Sequence, residues 1–502
     1  MVPTISFSSI KNIKNKSDYW YHQTIKGIMI FNSFNFIILF PFIFLLYYAI
    51  PAKYTKARNS YLLIVSYLLY LQWKPIYALI LLGITLVTYY IALLITNNTQ
   101  KKKRKTLISF GVILSLLPLT FFKYFNFINE CISEGLSVIG LNFNLPGLNW
   151  AIPIGISFYT FQALGYMWDV YYKRQEAEHD FLTYALFVSF FPSILSGPIN
   201  KTSLIIPQIK QLRPYFDYNK AVIGLKMLLW GMFLKVVVAD RVALYVDTVL
   251  PDYKNYTGLS CFLASILYSI QIYADFAGYS MMAIAVGKIL GFELTENFRR
   301  PYLAISVTDF WHRWHISLSS WLKDYVYIPM GGSRCSRLCN YKNIFVTFLI
   351  SGIWHGANWT FIIWGCLHGI YQIIEKALGE QKCKYGHFGK FFKISITFLL
   401  INFAWIIFRM PTMADAYGII ERIFNTNLPM TVYIDLIPNF PFTLLGIGLL
   451  IVKDIRDEFM PNRFLVLNSK STFVRWGAYI SLIVLIMITG VFGADQFIYA
   501  NF

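Results

Sequence analysis

Long uncharged runs constrain this chain more than anything else in it. Residues 34–50, 75–96, 106–122, 394–408 and 476–494 each pass without a single Asp, Glu, Lys or Arg. In lipid every backbone N–H and C=O must find a partner within the protein, so only helices and closed barrels can span a membrane. A barrel strand would alternate apolar and polar residues over about ten positions, and these runs do not alternate. The chain therefore reads as an all-α, polytopic helical membrane protein. Its composition agrees, because only 14% of the 502 residues are charged and 57% are hydrophobic, whereas soluble domains carry about 25% charged residues.

At ~20 residues per spanning helix plus its connection, there is room for roughly ten to twelve spans. The runs begin near residues 34, 61, 76, 106, 151, 181, 221, 257, 343, 390, 436 and 474. The 44 Lys plus Arg against 25 acids give a net charge of +19; in a multi-spanning chain this orients the helices by the positive-inside rule and does not call for nucleic acid. Lys53, Lys56 and Arg58 precede the second run and residues 101–105, KKKRK, follow the third. Both clusters are expected on the cytoplasmic side, which makes runs two and three a hairpin turned at Lys74 and Pro75. Residues 1–28 stand apart as a polar, basic extension with Lys11, Lys14, Lys16 and Lys26, and residues 29–502 as a single membrane domain. Met29 reads as an alternative start, because lysines ahead of the first span would otherwise have to be translocated.

Six cysteines at 131, 261, 335, 339, 366 and 383 make no paired framework. Cys335 and Cys339 lack further ligands nearby, so no metal is expected. Between Phe292 and Met330 charged and polar residues recur among aromatics. Such a stretch is either an interfacial loop or a re-entrant segment lining a site.

Two histidine-bearing stretches stand out. In DFWHRWHISLSSWLKDYVY, residues 309–327, a continuous helix would put Trp311, His315, Leu318 and Leu322 on one apolar face, flanked by Trp314 and Trp321. A desolvated imidazole there stays neutral, as a general base must; a structural histidine in an aromatic belt would show the same spacing. His312 points away from that face. In SGIWHGANWTFIIWGCLHG, residues 351–369, His355 lies inside an apolar run between Trp354 and Gly356. An ionisable group within a span is a functional candidate by default, although helix packing also explains it. Gly352 and Gly356 leave room beside the ring for a substrate. Asn358, three positions on, would share the face and donate to a developing oxyanion. His368, thirteen positions on, would lie ~20 Å further along the same helix, as a structural residue or cavity liner.

No GxSxG elbow, Walker A loop, HExxH or Rossmann glycine pattern occurs. Asp309 and His312 make only a weak pair. Histidines on apolar elements, with neither a metal set nor a serine elbow, suit proton transfer at a hydroxyl, and acyl transfer from an already activated thioester needs little more.

The ordered blocks PIGISFYTFQ (153–162), FFPSILSGPI (190–199), GLKMLLWGMFLKVVVADR (224–241), DFAGYS (275–280), ENFRRPY (296–302), DFWHRWHISLSSWLKDYVYIPMGGSR (309–334) and SGIWHGANW (351–359) resemble the membrane-bound O-acyltransferase family, in its branch of alginate and peptidoglycan O-acetylation proteins. The resemblance runs from about Met29 to the terminal FIYANF. It implies a ring or funnel of helices around a central tunnel where two histidines meet, in a bacterial cytoplasmic membrane. His355 falls on the family's essential histidine and His315 on its second. Asn358, Trp354, Trp311, Trp314, Asp309, Ser319 and His368 are then supporting or tunnel residues. The implied donor is acetyl-CoA or another acyl thioester, with no permanently bound cofactor. The implied acceptor is an exported or cell-wall polysaccharide, reached through a secreted or periplasmic serine-hydrolase-like partner. Met281 and Met282 after GYS, Ser193 after FFP, and Asn200 with Lys201 after GPI depart from the branch and leave the acceptor open. Two rivals remain: teichoic-acid D-alanyl transfer, and a proton-coupled transporter or flippase, though no repeat between the halves supports the latter.

Overall fold

A computed structural model describes residues 31–492, apart from the short stretches 142, 144, 149, 195–196, 213–215, 380–385, 426–428, 430, 438 and 462–465. The basic extension and the terminal FIYANF lie outside the described residues. In chain order the helices are α1 (Phe34–Ala49), α2 (Thr55–Leu71), α3 (Pro75–Thr96), α4 (Lys101–Val138), α5 (Ile156–Tyr171), α6 (Phe181–Ser189), α7 (Phe191–Ile194), α8 (Thr202–Lys210), α9 (Tyr218–Met232), α10 (Asp240–Val249), α11 (Gly258–Ile289), α12 (Val307–Arg313), α13 (Ile316–Leu322), α14 (Arg337–His355), α15 (Trp359–Leu378), α16 (His387–Arg409), α17 (Met413–Phe424), α18 (Phe440–Phe459) and α19 (Thr472–Thr489). A π-helical turn, Phe233–Ala239, joins α9 to α10.

Among the described residues, six stretches are long and apolar enough to cross a membrane: α3, α4, α9 through α10, α11, α16 and α19. The other expected runs fall on helices that are shorter, such as α1, α2 and α5, or carry several charges, such as α18 with Lys453, Asp454, Arg456, Asp457 and Glu458. Periodicity and hydropathy cannot separate such helices from spans, because both are apolar on the side that faces protein. Pro75 opens α3, where its missing N–H costs nothing. The turn at 72–74 makes α2 and α3 the expected hairpin.

The sequence of burial sets the architecture. In α11, 72% of the most apolar stretch is buried, against 22% in α4 and 17% in α19. Helix α11 is thus the central element, packed on α9, the π-turn and α10. Peripheral helices turn large apolar side chains outward, among them Leu79, Phe110, Ile113 and Ile488; that surface is stable against lipid and would be a liability in water. At the centre Lys235 Nζ lies 2.7 Å from Asp240 Oδ1 and 2.7 Å from Asp275 Oδ1. This buried triad joins the two sequence blocks GLKMLLWGMFLKVVVADR and DFAGYS. Asn402 of α16 donates to Ser265 O and Ser269 Oγ of α11, both at 2.8 Å, and ties the central helix to the side that carries the histidines.

Candidate active site

Helix α14 stops at His355, and the chain runs extended through Gly356 before α15 begins. Asn358 does not continue the helix beyond His355. It is the N-cap of α15: its Oδ1 accepts from Thr360 N at 3.0 Å and its Nδ2 donates to Pro411 O at 2.8 Å. Both ends of the amide thus have backbone partners, and Asn358 does not share a helical face with His355. The break also reverses the expected position of His368. Because α15 folds back along α14, the Trp364 ring contacts His355 at 5.0 Å and His368 at 4.8 Å between centroids. His368 therefore belongs to the same cluster and is not ~20 Å away along a shared axis.

The glycines serve that hairpin. A Cβ at Gly352 would press into Phe361 O and come to 3.1 Å from Gly365 Cα; a Cβ at Gly365 would press into Phe348 O. Two backbones crossing this closely is the small-residue packing of membrane helices. At Gly356 a Cβ would collide with the Phe361 ring. The space expected for a substrate is filled by protein.

The second histidine sits at a corner instead of within one helix. Helices α12 and α13 meet at His315, whose φ of +42° is left-handed, a conformation that costs a non-glycine residue on the order of 1 kcal/mol and more. Asn297, of the ENFRRPY block, holds the corner: Asn297 O accepts from Ile316 N at 3.0 Å and its Oδ1 from Ser317 N at 3.2 Å. Arg299 N adds a bond to Arg313 O at 2.9 Å. Ser319 Oγ donates to Trp314 O at 3.2 Å, so it serves the corner as well. His315 is fully buried despite the break, against the edge of Phe276 at 4.7 Å and near Trp354 at 5.9 Å. The corner at His315 is thus buried inside the protein, while His312 is exposed.

These elements converge on one aromatic enclosure. The Trp354 ring contacts both candidate bases, its centroid 5.9 Å from that of His315 and 5.0 Å from that of His355. Phe408 of α16 closes on His355 at 5.4 Å, and Trp405 stacks on Trp364 at 5.7 Å. Trp311 reaches the cluster through His368, donating from Nε1 to Nδ1 at 3.2 Å. Trp314 packs behind it against Phe310 and Trp405. Asp309 faces elsewhere: its carboxylate accepts from Ile305 N and pairs with Arg313, bracing the start of α12, whose N-cap is Ser306. His355 is 2% exposed; rings enclose it, and it does not stand in an open channel.

Lys123, Asn297, Phe276, Trp364 and Phe408 were not singled out by sequence reasoning. Lys123 had a usable signal, an ionisable residue within an apolar run. It is buried, lies within electrostatic range of the His355 ring, and donates from Nζ to Trp354 O at 2.6 Å. Two departures from the sequence blocks also find partners: Asn200 Nδ2 donates to Ser193 Oγ at 2.8 Å, and Asn200 Oδ1 accepts from Thr295 N at 3.0 Å. The pair is internal scaffolding. Met282 packs on Gly231 between α9 and α11.

The model of the membrane-bound O-acyltransferase family matches residues 169–414, which contain both His315 and His355. The chain is 38% identical over 400 residues to the probable alginate O-acetylase AlgI of Pseudomonas aeruginosa, covering 79% of this chain and 75% of that protein. It is 35% identical over 436 residues to the peptidoglycan O-acetyltransferase of Helicobacter pylori, covering 80% of each. The teichoic acid D-alanyltransferase of Bacillus subtilis is more distant, 29% identical over 59% of this chain and 76% of its own length.

Proposed function

The chain belongs to the membrane-bound O-acyltransferase family and is a multi-pass membrane O-acyltransferase, and from that premise we propose that it moves acetyl groups from a thioester donor, acetyl-CoA or a loaded carrier, towards hydroxyls of an exported or cell-wall polysaccharide in a bacterial cytoplasmic membrane. The observation that carries this reading is the convergence of His315 and His355 on the Trp354 ring, together with relatives named for acetylating alginate and peptidoglycan.

In this reading His355 accepts the proton of the acceptor hydroxyl as its oxygen attacks the thioester carbonyl carbon. The C–S bond then breaks, and the leaving thiolate takes that proton from the imidazolium. His315 orients or shares the proton. General base action of this kind is worth about 10²- to 10⁴-fold. A secreted serine-hydrolase-like partner would complete delivery to the polymer. The greater coverage by the O-acetylation relatives favours acetyl over D-alanyl as the group transferred.

Replacing His355 with Ala and measuring polymer acetyl content in cells with equal membrane protein tests the reading. Acetylation is expected to fall to background; undiminished acetylation would refute it.

A further inference from the structure

The last four carbonyls of a helix have no partner within it, and in an apolar interior each must find a donor elsewhere. For α14 those carbonyls belong to residues 352–355, the turn that carries His355. Two consecutive residues of α4 supply donors to two consecutive carbonyls: Tyr124 Oη donates to Ile353 O at 2.6 Å and Lys123 Nζ to Trp354 O at 2.6 Å. The Lys123 Nζ also lies 5.7 Å from the centroid of the Trp354 ring. Helix α4 packs mainly along α3 and α5, so this contact carries its influence to the histidine side of the protein. Among the described residues no carboxylate pairs with Lys123, and its one hydrogen-bond partner is the Trp354 carbonyl.

We infer that Lys123 and Tyr124 are positioning residues that clamp the C-terminal carbonyls of α14 and thereby fix the His355 imidazole for acyl transfer. The clamp acts where the helix would otherwise fray, immediately before the extended Gly356. A ring displaced by about 1 Å loses on the order of 10²-fold in rate, so two directed bonds at this point set the geometry that the chemistry uses. Lysine suits the task better than a shorter donor because its four-carbon stem crosses the apolar gap between helices before the amine appears.

The inference rests on the acyl-transfer reading, and the test separates the two. Initial rates of polymer acetylation are measured in cells expressing the full chain, normalised to folded membrane protein, with the thermal midpoint of each purified variant as the folding control. K123M is expected to slow acetylation by about ten- to hundredfold at equal folded protein. Y124F should slow it by several-fold, and K123R, which donates to the same carbonyl, should recover most of the rate. Wild-type rates in K123M, or a loss fully explained by less folded protein, would overturn the inference. Continued acetylation by H355A would instead overturn the function itself; loss in H355A beside wild-type rates in K123M would sink only the clamp.

Discussion

Gly352→Ala adds one methyl group to the α14–α15 crossing, and its effect can be worked out from the backbone. The new Cβ presses into the Phe361 carbonyl oxygen and sits 3.1 Å from Gly365 Cα. Both obstacles are main chain, so no rotamer change relieves them. Restoring ordinary contact distances requires the helices to part by roughly 1 Å. Overpacking of this kind costs about 1–3 kcal/mol, which the whole protein can absorb. The geometry proposed for catalysis has less tolerance: His355 lies one turn after Gly352 on α14, while Trp364, its ring partner, lies on α15. A misplacement of about 1 Å predicts a loss on the order of 10²-fold in initial acetylation rate, with a modest fall in thermal midpoint. Gly83→Ala is the control, since a Cβ there meets nothing within 4 Å, and it should leave both quantities unchanged. A G352A enzyme that is less stable yet fully active would refute the reasoning, because it would uncouple the crossing from His355.

Two further substitutions test other parts of the scaffold. Lys235→Met leaves Asp240 and Asp275 buried without the cation they share; the expected cost of about 3–5 kcal/mol should appear as a sharp drop in folded protein on fluorescence-detected size exclusion, and neutralising both carboxylates as well should restore much of it. Asn358→Ala removes the cap of α15, so the thermal midpoint should fall by an amount corresponding to about 1 kcal/mol with near-normal turnover; a large loss of rate at unchanged stability would return Asn358 to the oxyanion.

What could be read from residues alone follows the physics of each signal. Helical membrane architecture was legible because unalternating apolar runs leave lipid no other solution. His315 and His355 were legible as candidates because an imidazole among tryptophans is rare enough to need a reason. Their relation was not legible. WHGANW does carry local signals for the end of α14, a glycine directly after His355 and an asparagine able to cap a following helix, but the apolar run continuing on both sides masks them; Phe361 against Gly356 and Asn358 capping α15 complete the break. Trp-His-Ile, by contrast, carries no turn residue, and the left-handed corner at His315 exists because Asn297, distant in sequence, supplies two acceptors to it. In both cases a periodic pattern was extended through a break, set by local capping after His355 and by the distant Asn297 at His315. Lys123 illustrates the complementary failure, since its chemistry was visible in the sequence but its partner, 231 residues away, was not.

The enclosure of His355 bears on which reaction the site permits. A thioester is prone to hydrolysis, and water outcompetes a polymer hydroxyl by concentration alone wherever it has access. An imidazole 2% exposed and bounded by Trp354, Trp364 and Phe408 excludes that competitor, as closed sites do. On the acyl-transfer reading the same rings oppose entry of the acyl group, so that reading requires one of them to move. Each aromatic pair is worth about 0.5–1.5 kcal/mol beyond its area burial, so releasing two of them costs at least roughly 1–3 kcal/mol. An open state at that cost is a minor one, of the kind from which ligands select. An acyl chain that takes the place of a displaced ring regains the lost contacts, whereas water does not. On the proposed reading the aromatic shell discriminates by what can replace it, which favours acyl transfer over hydrolysis before any proton moves.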